Sequence, residues 1–307
     1  MKTLYRFRTS RGRRAAGFTL VELLVAEAIF LILLVVVVQL IFGLIQTSAT
    51  QKKRMDSLDD ARQALDRLSL DWAARVRRSD VGGLFIKNAT GGSTGGNDQI
   101  AFPAQVQSYG NPTRHLAWVT YGVSPVNQVV AGSQSSLTSA LVRGTQGYDY
   151  TETTFPLFLL PATTNTSTSP NTSAAPSSLA NLTTEPLANT VFRFEYCFLI
   201  QVPSGSAPGA AYSVNSSIDL TSTNLVGVVV AVAALDPESR QIVTQAQLNA
   251  LANALPDTTT GTNQDPQSLW VSTINSGAFA TQASAAGVPK PVINAVRVFQ
   301  RILYVEE

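Results

Sequence analysis

One cysteine and one histidine in 307 residues leave little of the usual equipment for cross-linking or catalysis. Cys197 has no second cysteine to pair with, so no intrachain disulfide can form and the fold must be held by an apolar core. Any Ser-His-Asp, Cys-His or histidine-based metal site has to pass through His115, at what reads as the start of a strand. There is no Walker loop, no GxGxxG and no paired-carboxylate motif. No loop has EF-hand spacing either, although Asp219, Asp236, Asp257 and Asp265 lie near loops that could offer oxygen ligands to calcium. These absences predict no catalytic site, no cofactor and no bound metal.

Charge is also scarce, at 14% of residues with a net value of +2, and it is unevenly placed. Lys2, Arg6, Arg8, Arg11, Arg13 and Arg14 crowd the first 17 residues without an acidic partner, and the rest of the chain is acidic once they are set aside. The basic pI therefore reflects the leader, and no nucleic-acid partner is expected. Four N-x-Ser/Thr sequons, at Asn165, Asn171, Asn181 and Asn215, arise in Ser, Thr and Asn-rich stretches that produce them by composition.

What the chain does have is one long hydrophobic run. Residues 18–45 are Leu, Ile and Val-rich, with Glu22, Glu27 and Gln39 as the strongly polar positions, and they suffice to span the ~30 Å hydrocarbon core as a helix. Lys52, Lys53 and Arg54 follow the run, against six basic residues before it, so the positive-inside rule puts the N-terminus in the cytoplasm. Leu58, Ala61, Leu65, Leu68, Trp72 and Val76 then recur at steps of three and four, with Asp59, Asp66, Arg67 and Asp71 between them, which is an amphipathic helix. Only Gly43 interrupts, so one helix is expected from Phe18 to about Arg78, roughly 90 Å long, with Arg75, Arg77 and Arg78 at its negative end and Gly82-Gly83 as a stop.

Short β-type runs follow at 99–102, 115–123, 137–143, 191–201 and 225–235, and an antiparallel sheet is the economical reading. In 191–201, Phe192, Phe194, Tyr196 and Phe198 alternate with Arg193, Glu195 and Cys197, the period of a half-buried strand whose aromatic face meets the helix. Cys197 reads as a small apolar residue within it. The run 225–235 is apolar throughout and belongs in the middle of the sheet. Thr244 and Gln247 make a capping box for a helix carrying Leu248, Leu251 and Leu255. The closing segment has Val292, Val296, Phe299 and Leu303 at helical spacing after Pro291 but is ambiguous with a strand. Residues 161–190 and 256–267 read as surface loops. The organisation expected is a leader at 1–17, a transmembrane helix at 18–45, an amphipathic extension at 46–80 and an extracytoplasmic domain at 81–307, α+β in class.

The segment Arg13-Arg14-Ala15-Ala16-Gly17-Phe18-Thr19-Leu20-Val21-Glu22-Leu23-Leu24-Val25 resembles the leader of type IV pilins and type II secretion pseudopilins. The resemblance implies processing between Gly17 and Phe18 by a membrane prepilin peptidase that also methylates the new amine. It further implies that Glu22 faces the N-terminal amine of a neighbouring subunit during assembly. An ionisable side chain one turn inside a lipid-facing helix calls for such a partner on physical grounds alone. Glu27 departs from the family pattern, in which this part of the helix is apolar. Asp236-Pro237-Glu238-Ser239-Arg240 and Val296-Arg297-Val298-Phe299-Gln300-Arg301 are similar to the large Verru_Chthon cassette proteins of type C. Three other readings compete. The segment could be a plain membrane anchor, or a secretory signal cut after Thr47-Ser48-Ala49, for which its apolar run is too long. The whole could be a membrane-anchored adhesin or binding module that never polymerises and uses its polar loops. The expected partners are the peptidase, other pilin-like subunits and, before assembly, membrane lipid.

Overall fold

The computed structural model describes residues 19–77, 83–88, 96–109, 115–130, 134–147, 179, 182–201, 210–213, 224–258 and 264–305. Gly17, Phe18, Arg78, Gly82, Asp219, the four sequon asparagines and most of the 161–190 tract lie outside them. The chain divides into two compact units, Met1–Lys52 and Lys53–Glu307, and helix α1, Leu20–Ala73, contributes to both.

In the first unit, the 26 residues Leu20–Ile45 form the apolar part of α1. At 1.5 Å per residue they measure about 39 Å, more than the hydrocarbon core requires. All of their side chains are exposed.

In the second unit α1 buries Ala61, Leu65, Leu68 and Trp72, four of the residues that the sequence spacing predicts, together with Ala64, while Val76 lies past the helix end. It ends at Ala73, earlier than Arg78. The Val76 N–H donates to the Pro103 carbonyl (2.9 Å) and the Gln105 N–H to that of Ala74 (2.8 Å), so the backbone leaves the helical ladder to pair with a strand. Arg75 lies past the last turn and caps it from there, its guanidinium donating to the Trp72 carbonyl at 3.3 Å.

The strands form two antiparallel sheets where the sequence suggested one. The first is a meander of β1 (Leu84–Ile86), β2 (Gln99–Ala104), β3 (Ala117–Val130), β4 (Gln134–Gly147) and β5 (Thr183–Ala188). Strand β5 sits inside the tract expected to be loop. It is an edge strand, largely exposed and carrying Pro186, so it has neither the apolar alternation nor the β-branched richness that would announce it. The second sheet runs β7-β6-β8-β9, from β6 (Val191–Gln201), β7 (Ala210–Ser213), β8 (Leu225–Ala234) and β9 (Arg297–Tyr304).

Phe194, Tyr196 and Phe198 of β6 share a core with the α1 stripe and with Ile100, Phe102 and Val119 of the first sheet. Phe192 does not join them. The register with β8 shifts between Val191 and Arg193, and this bulge turns Phe192 to the opposite face. That face is not solvent: Arg193, Glu195 and Cys197 are fully buried. Strand β8 lies between β6 and β9 with both faces covered, as a continuous apolar run requires.

The covering layer comes from five short helices, α2 (Pro237–Ile242), α3 (Gln245–Asn253), α4 (Pro266–Asn275), α5 (Ala278–Ala285) and α6 (Lys290–Ala295). Leu251, Trp270, Phe279 and Val292 from this layer pack on Phe192, Ala231 and Ala233. The Thr244–Gln247 capping box opens α3 as predicted. Asp265 caps α4, accepting from the Ser268 N–H at 2.9 Å, so the expected loop 256–267 already ends in a helix at Pro266. The ambiguous closing segment is both things in turn: Val292 is helical in α6, and Phe299 and Leu303 are in β9. The architecture is α+β.

Candidate functional site

Helix α1 starts with a device the sequence reading overlooked. Thr19 precedes the first helical residue and Glu22 is the third, the Thr-x-x-Glu order of a capping box. The Thr19 N–H donates to Glu22 Oε2 at 3.0 Å and the Thr19 hydroxyl to the same oxygen at 3.1 Å. In return the Glu22 N–H donates to Thr19 Oγ1 at 3.3 Å. The pair satisfies free N–H groups at the helix head and turns the carboxylate toward it, beside residue 18 in the sequence. Two of the three residues singled out for processing and assembly, Gly17 and Phe18, lie outside the described residues. Glu22 is placed, and the Thr-x-x-Glu order at the head of an apolar run is the signal that points to Thr19 once the helix start is known. Glu27, five residues on, is exposed in mid-helix.

The candidates in the second unit have other employment. Asp236 and Asp265 cap α2 and α4, and Asp257 accepts from Arg193 and from the Asn88 amide. Among the described residues no group of His, Cys, Asp and Glu side chains is arranged to hold a metal ion. His115 is exposed just before β3. Cys197 is fully buried, and burial pushes its thiol up to about 12, which makes it inert at neutral pH. A cleft of about 260 Å³ between α1, α4 and β9 is lined by Arg62, Leu65, Gln267, Val298, Phe299, Gln300 and Arg301, which include neither a nucleophile nor a general base.

Two charge clusters are buried, and they include Asp71, Arg193 and Glu195, which the sequence pattern puts on polar faces. In the first, Asp71 of α1 accepts from Arg143 Nε of β4 at 2.5 Å and from the Tyr121 hydroxyl of β3 at 2.6 Å. Burial, and then the Asp71 charge, raises the pKa of Tyr121, so it is a fixed donor. The second cluster joins the two sheets. The Asp98 N–H donates to the Phe194 carbonyl (3.0 Å), the Phe194 N–H to Asn97 Oδ1 (2.7 Å) and the Tyr196 N–H to Asp98 Oδ2 (3.1 Å). Lys87 Nζ donates to Asp98 at 2.6 Å and to Glu195 at 2.7 Å, and Arg193 donates to Glu195 at 2.8 Å and to Asp257. Burial alone would lower the pKa of Lys87, yet the Asp98 and Glu195 carboxylates hold it above its ordinary value. These groups bind one another and hold elements together.

Comparison with known families singles out the same end of the chain as the capping box. The family described as the prokaryotic N-terminal methylation motif matches residues 12–38. That stretch contains Gly17, Phe18, Glu22 and Glu27. Neither the curated proteins nor the solved structures contain a match to this chain. The motif is consistent with a type IV pilin-like protein, and it fits a membrane anchor together with Leu20–Ile45, the one helix among the described residues long and apolar enough to cross a membrane. The family match stops far short of the segments similar to the cassette proteins and lends them no support. In the structure those segments are the start of α2, with its cap, and part of β9.

Proposed function

We propose that this chain is a minor pilin- or pseudopilin-like subunit, freed from its leader by a cut between Gly17 and Phe18 and assembled through α1 beside other pilin-like subunits. Glu22 carries the reading. A carboxylate near the head of a largely apolar, membrane-length helix calls for a cation, and the cut would supply one as the Phe18 amine. Thr19 holds the carboxylate at the helix head beforehand. On assembly a neighbour's amine takes over from Thr19, and neither charge is left alone in an apolar setting.

The other parts take their roles from order along the chain. Residues 1–17 are the leader, 18–45 the span, 46–80 the amphipathic extension and 81–307 the extracytoplasmic domain. The basic leader keeps the N-terminus in the cytoplasm and places the anchor in the inner membrane. The work of the protein is assembly, not turnover. Its contact with the next subunit is heterologous, so it does not close and leaves a surface for a further pilin-like subunit. The likeness of the C-terminal segments to the cassette proteins would make it one of a co-encoded set of minor subunits.

N-terminal mass spectrometry of the membrane-extracted protein tests this, comparing wild type with Gly17→Val. A wild-type chain beginning at methylated Phe18, with the variant uncut, is the expected result. A chain beginning at Thr50, or one retaining its leader, sinks the assembly mechanism. A processed chain that never associates with another subunit is a membrane-anchored binding module instead.

A further inference from the structure

The apolar stretch Leu20–Ile45 holds two carboxylates, Glu22 and Glu27, and no lysine, arginine or histidine. The structure treats the two differently. Glu22 is tied to Thr19 by three hydrogen bonds. The Glu27 side chain is exposed and makes no hydrogen bond or ion pair among the described residues. Ala26 and Ala28 flank it in sequence and are the only alanines in the stretch, while Leu23, Leu24, Phe30 and Leu31 lie one turn away on its own face. At 3.6 residues and 5.4 Å per turn, five positions set the two glutamates about 140° apart around the helix and about 7.5 Å apart along it. One neighbouring group cannot serve both.

We propose that Glu27 is the contact point for a cationic group on the membrane helix of a different subunit, so that this chain packs beside an unlike, basic partner and not beside copies of itself. The inference rests on the reading above, in which the chain is cut before Phe18 and packs through α1. Processing gives each subunit one amine, while each brings two carboxylates into the apolar bundle. A bundle of this chain alone therefore carries one uncompensated carboxylate per subunit, a costly arrangement in hydrocarbon or in a packed helix bundle. Gln39, the other strongly polar side chain of the stretch, is neutral and offers no counter-charge. A partner helix bearing a lysine, an arginine or an unused N-terminal amine restores the balance. This chain then adds where such a partner is exposed, and it does not extend a filament by itself.

Disulfide trapping within the membrane provides the test. The full chain carrying Leu31→Cys, one turn beyond Glu27, is expressed with a prepilin peptidase and no other pilin-like protein, and the start at Phe18 is verified by mass. Cys197 is buried and does not compete. Changing Glu27→Gln should raise the yield of like-with-like disulfides on the order of tenfold at neutral pH. A Glu27→Lys chain serves as the cationic probe. Paired with the wild-type sequence at position 27 it should give more mixed disulfide than either gives alone, because only the mixed pair is neutral. Equal like-with-like yields from Glu27 and Glu27→Gln chains overturn the proposal, and so does the absence of disulfides in every pairing of correctly processed chains. A chain that keeps its leader overturns the processing reading itself, and its mass distinguishes that failure.

Discussion

The Asp71–Arg143 pair should behave as a clasp whose halves are each expensive to lose and cheap to lose together. Asp71 is 2% exposed and Arg143 fully buried, and they join the end of α1 to the middle of the first sheet. Arg143→Met leaves the Asp71 carboxylate with the Tyr121 hydroxyl and with Arg67, which is 3.7 Å away and 45% exposed in its side chain. A half-exposed pair of that kind contributes at most about 1 kcal/mol. Removing one partner of a buried pair costs about 3–5 kcal/mol, because the other charge stays buried. Asp71→Leu should cost a similar amount, since Arg143 Nη1 and Nη2 already lack a hydrogen-bond partner and Nε would join them, leaving the guanidinium only the Tyr109 ring 4.9 Å away. The double variant removes both buried charges and should lie within about 1–2 kcal/mol of wild type. Urea unfolding of the full chain in mild detergent measures this cleanly. All three tryptophans, Trp72, Trp118 and Trp270, are buried in the second unit, so intrinsic fluorescence follows that unit and not the apolar helix. Single variants that each cost less than about 1 kcal/mol, or a double variant as costly as their sum, would refute the reasoning.

Two further outcomes follow from the cluster that joins the sheets. Burial, followed by the charge of Glu195, raises Asp98 to about 7, against the opposing pull of Lys87 and the Tyr196 N–H. The folded chain binds this proton more tightly than the unfolded one, so the stability it contributes is full below about pH 4 and is lost as pH rises to about 7. The stability difference between wild type and Asp98→Asn should therefore shrink across that window, and a difference constant with pH would contradict the assignment. Gly96 and Gly277 both have φ of 79°, which costs alanine about 1–2 kcal/mol. A Cβ at Gly277 meets nothing within 4 Å, whereas one at Gly96 would collide with the Arg193 guanidinium. Gly96→Ala should destabilise clearly more than Gly277→Ala in the same unfolding assay, and equal losses would show that the guanidinium moves aside freely.

Local pattern reveals an element best where the run of residue types is itself distinctive. The stripe from Ala61 to Trp72 and the alternation in β6 were legible because each repeats with the period of its element, and β8 because its apolar run is unbroken. The Phe192 bulge was not, since a bulge leaves the alternation of residue types intact and changes only which face one of them meets. Asp71, Arg193 and Glu195 were misjudged for a related reason. A charged residue between apolar ones reads as solvent-facing, and the residues that allow its burial here lie as far away as Asp257 or Arg143. At the candidate site, composition and spacing marked Glu22, but its engagement with Thr19 needed the helix start to be known within one residue.

The hydrogen bond from Trp72 Nε1 to the Tyr304 carbonyl, 2.9 Å long, closes the second unit with a contact 232 residues apart in sequence. It has a consequence for the order of events during synthesis. At about 5–20 residues per second, roughly ten to fifty seconds separate the making of Trp72 from that of Tyr304. Over that interval Leu303 is not yet there to complete the core around Leu65 and Trp72, and β8, once made, has no β9 beside it until the last residues follow. The apolar flank of α1 is then an open surface on a chain whose N-terminal helix is already in place to enter the bilayer. A factor that shields this flank until residue 304 has emerged would govern the yield of folded subunit without touching its final stability.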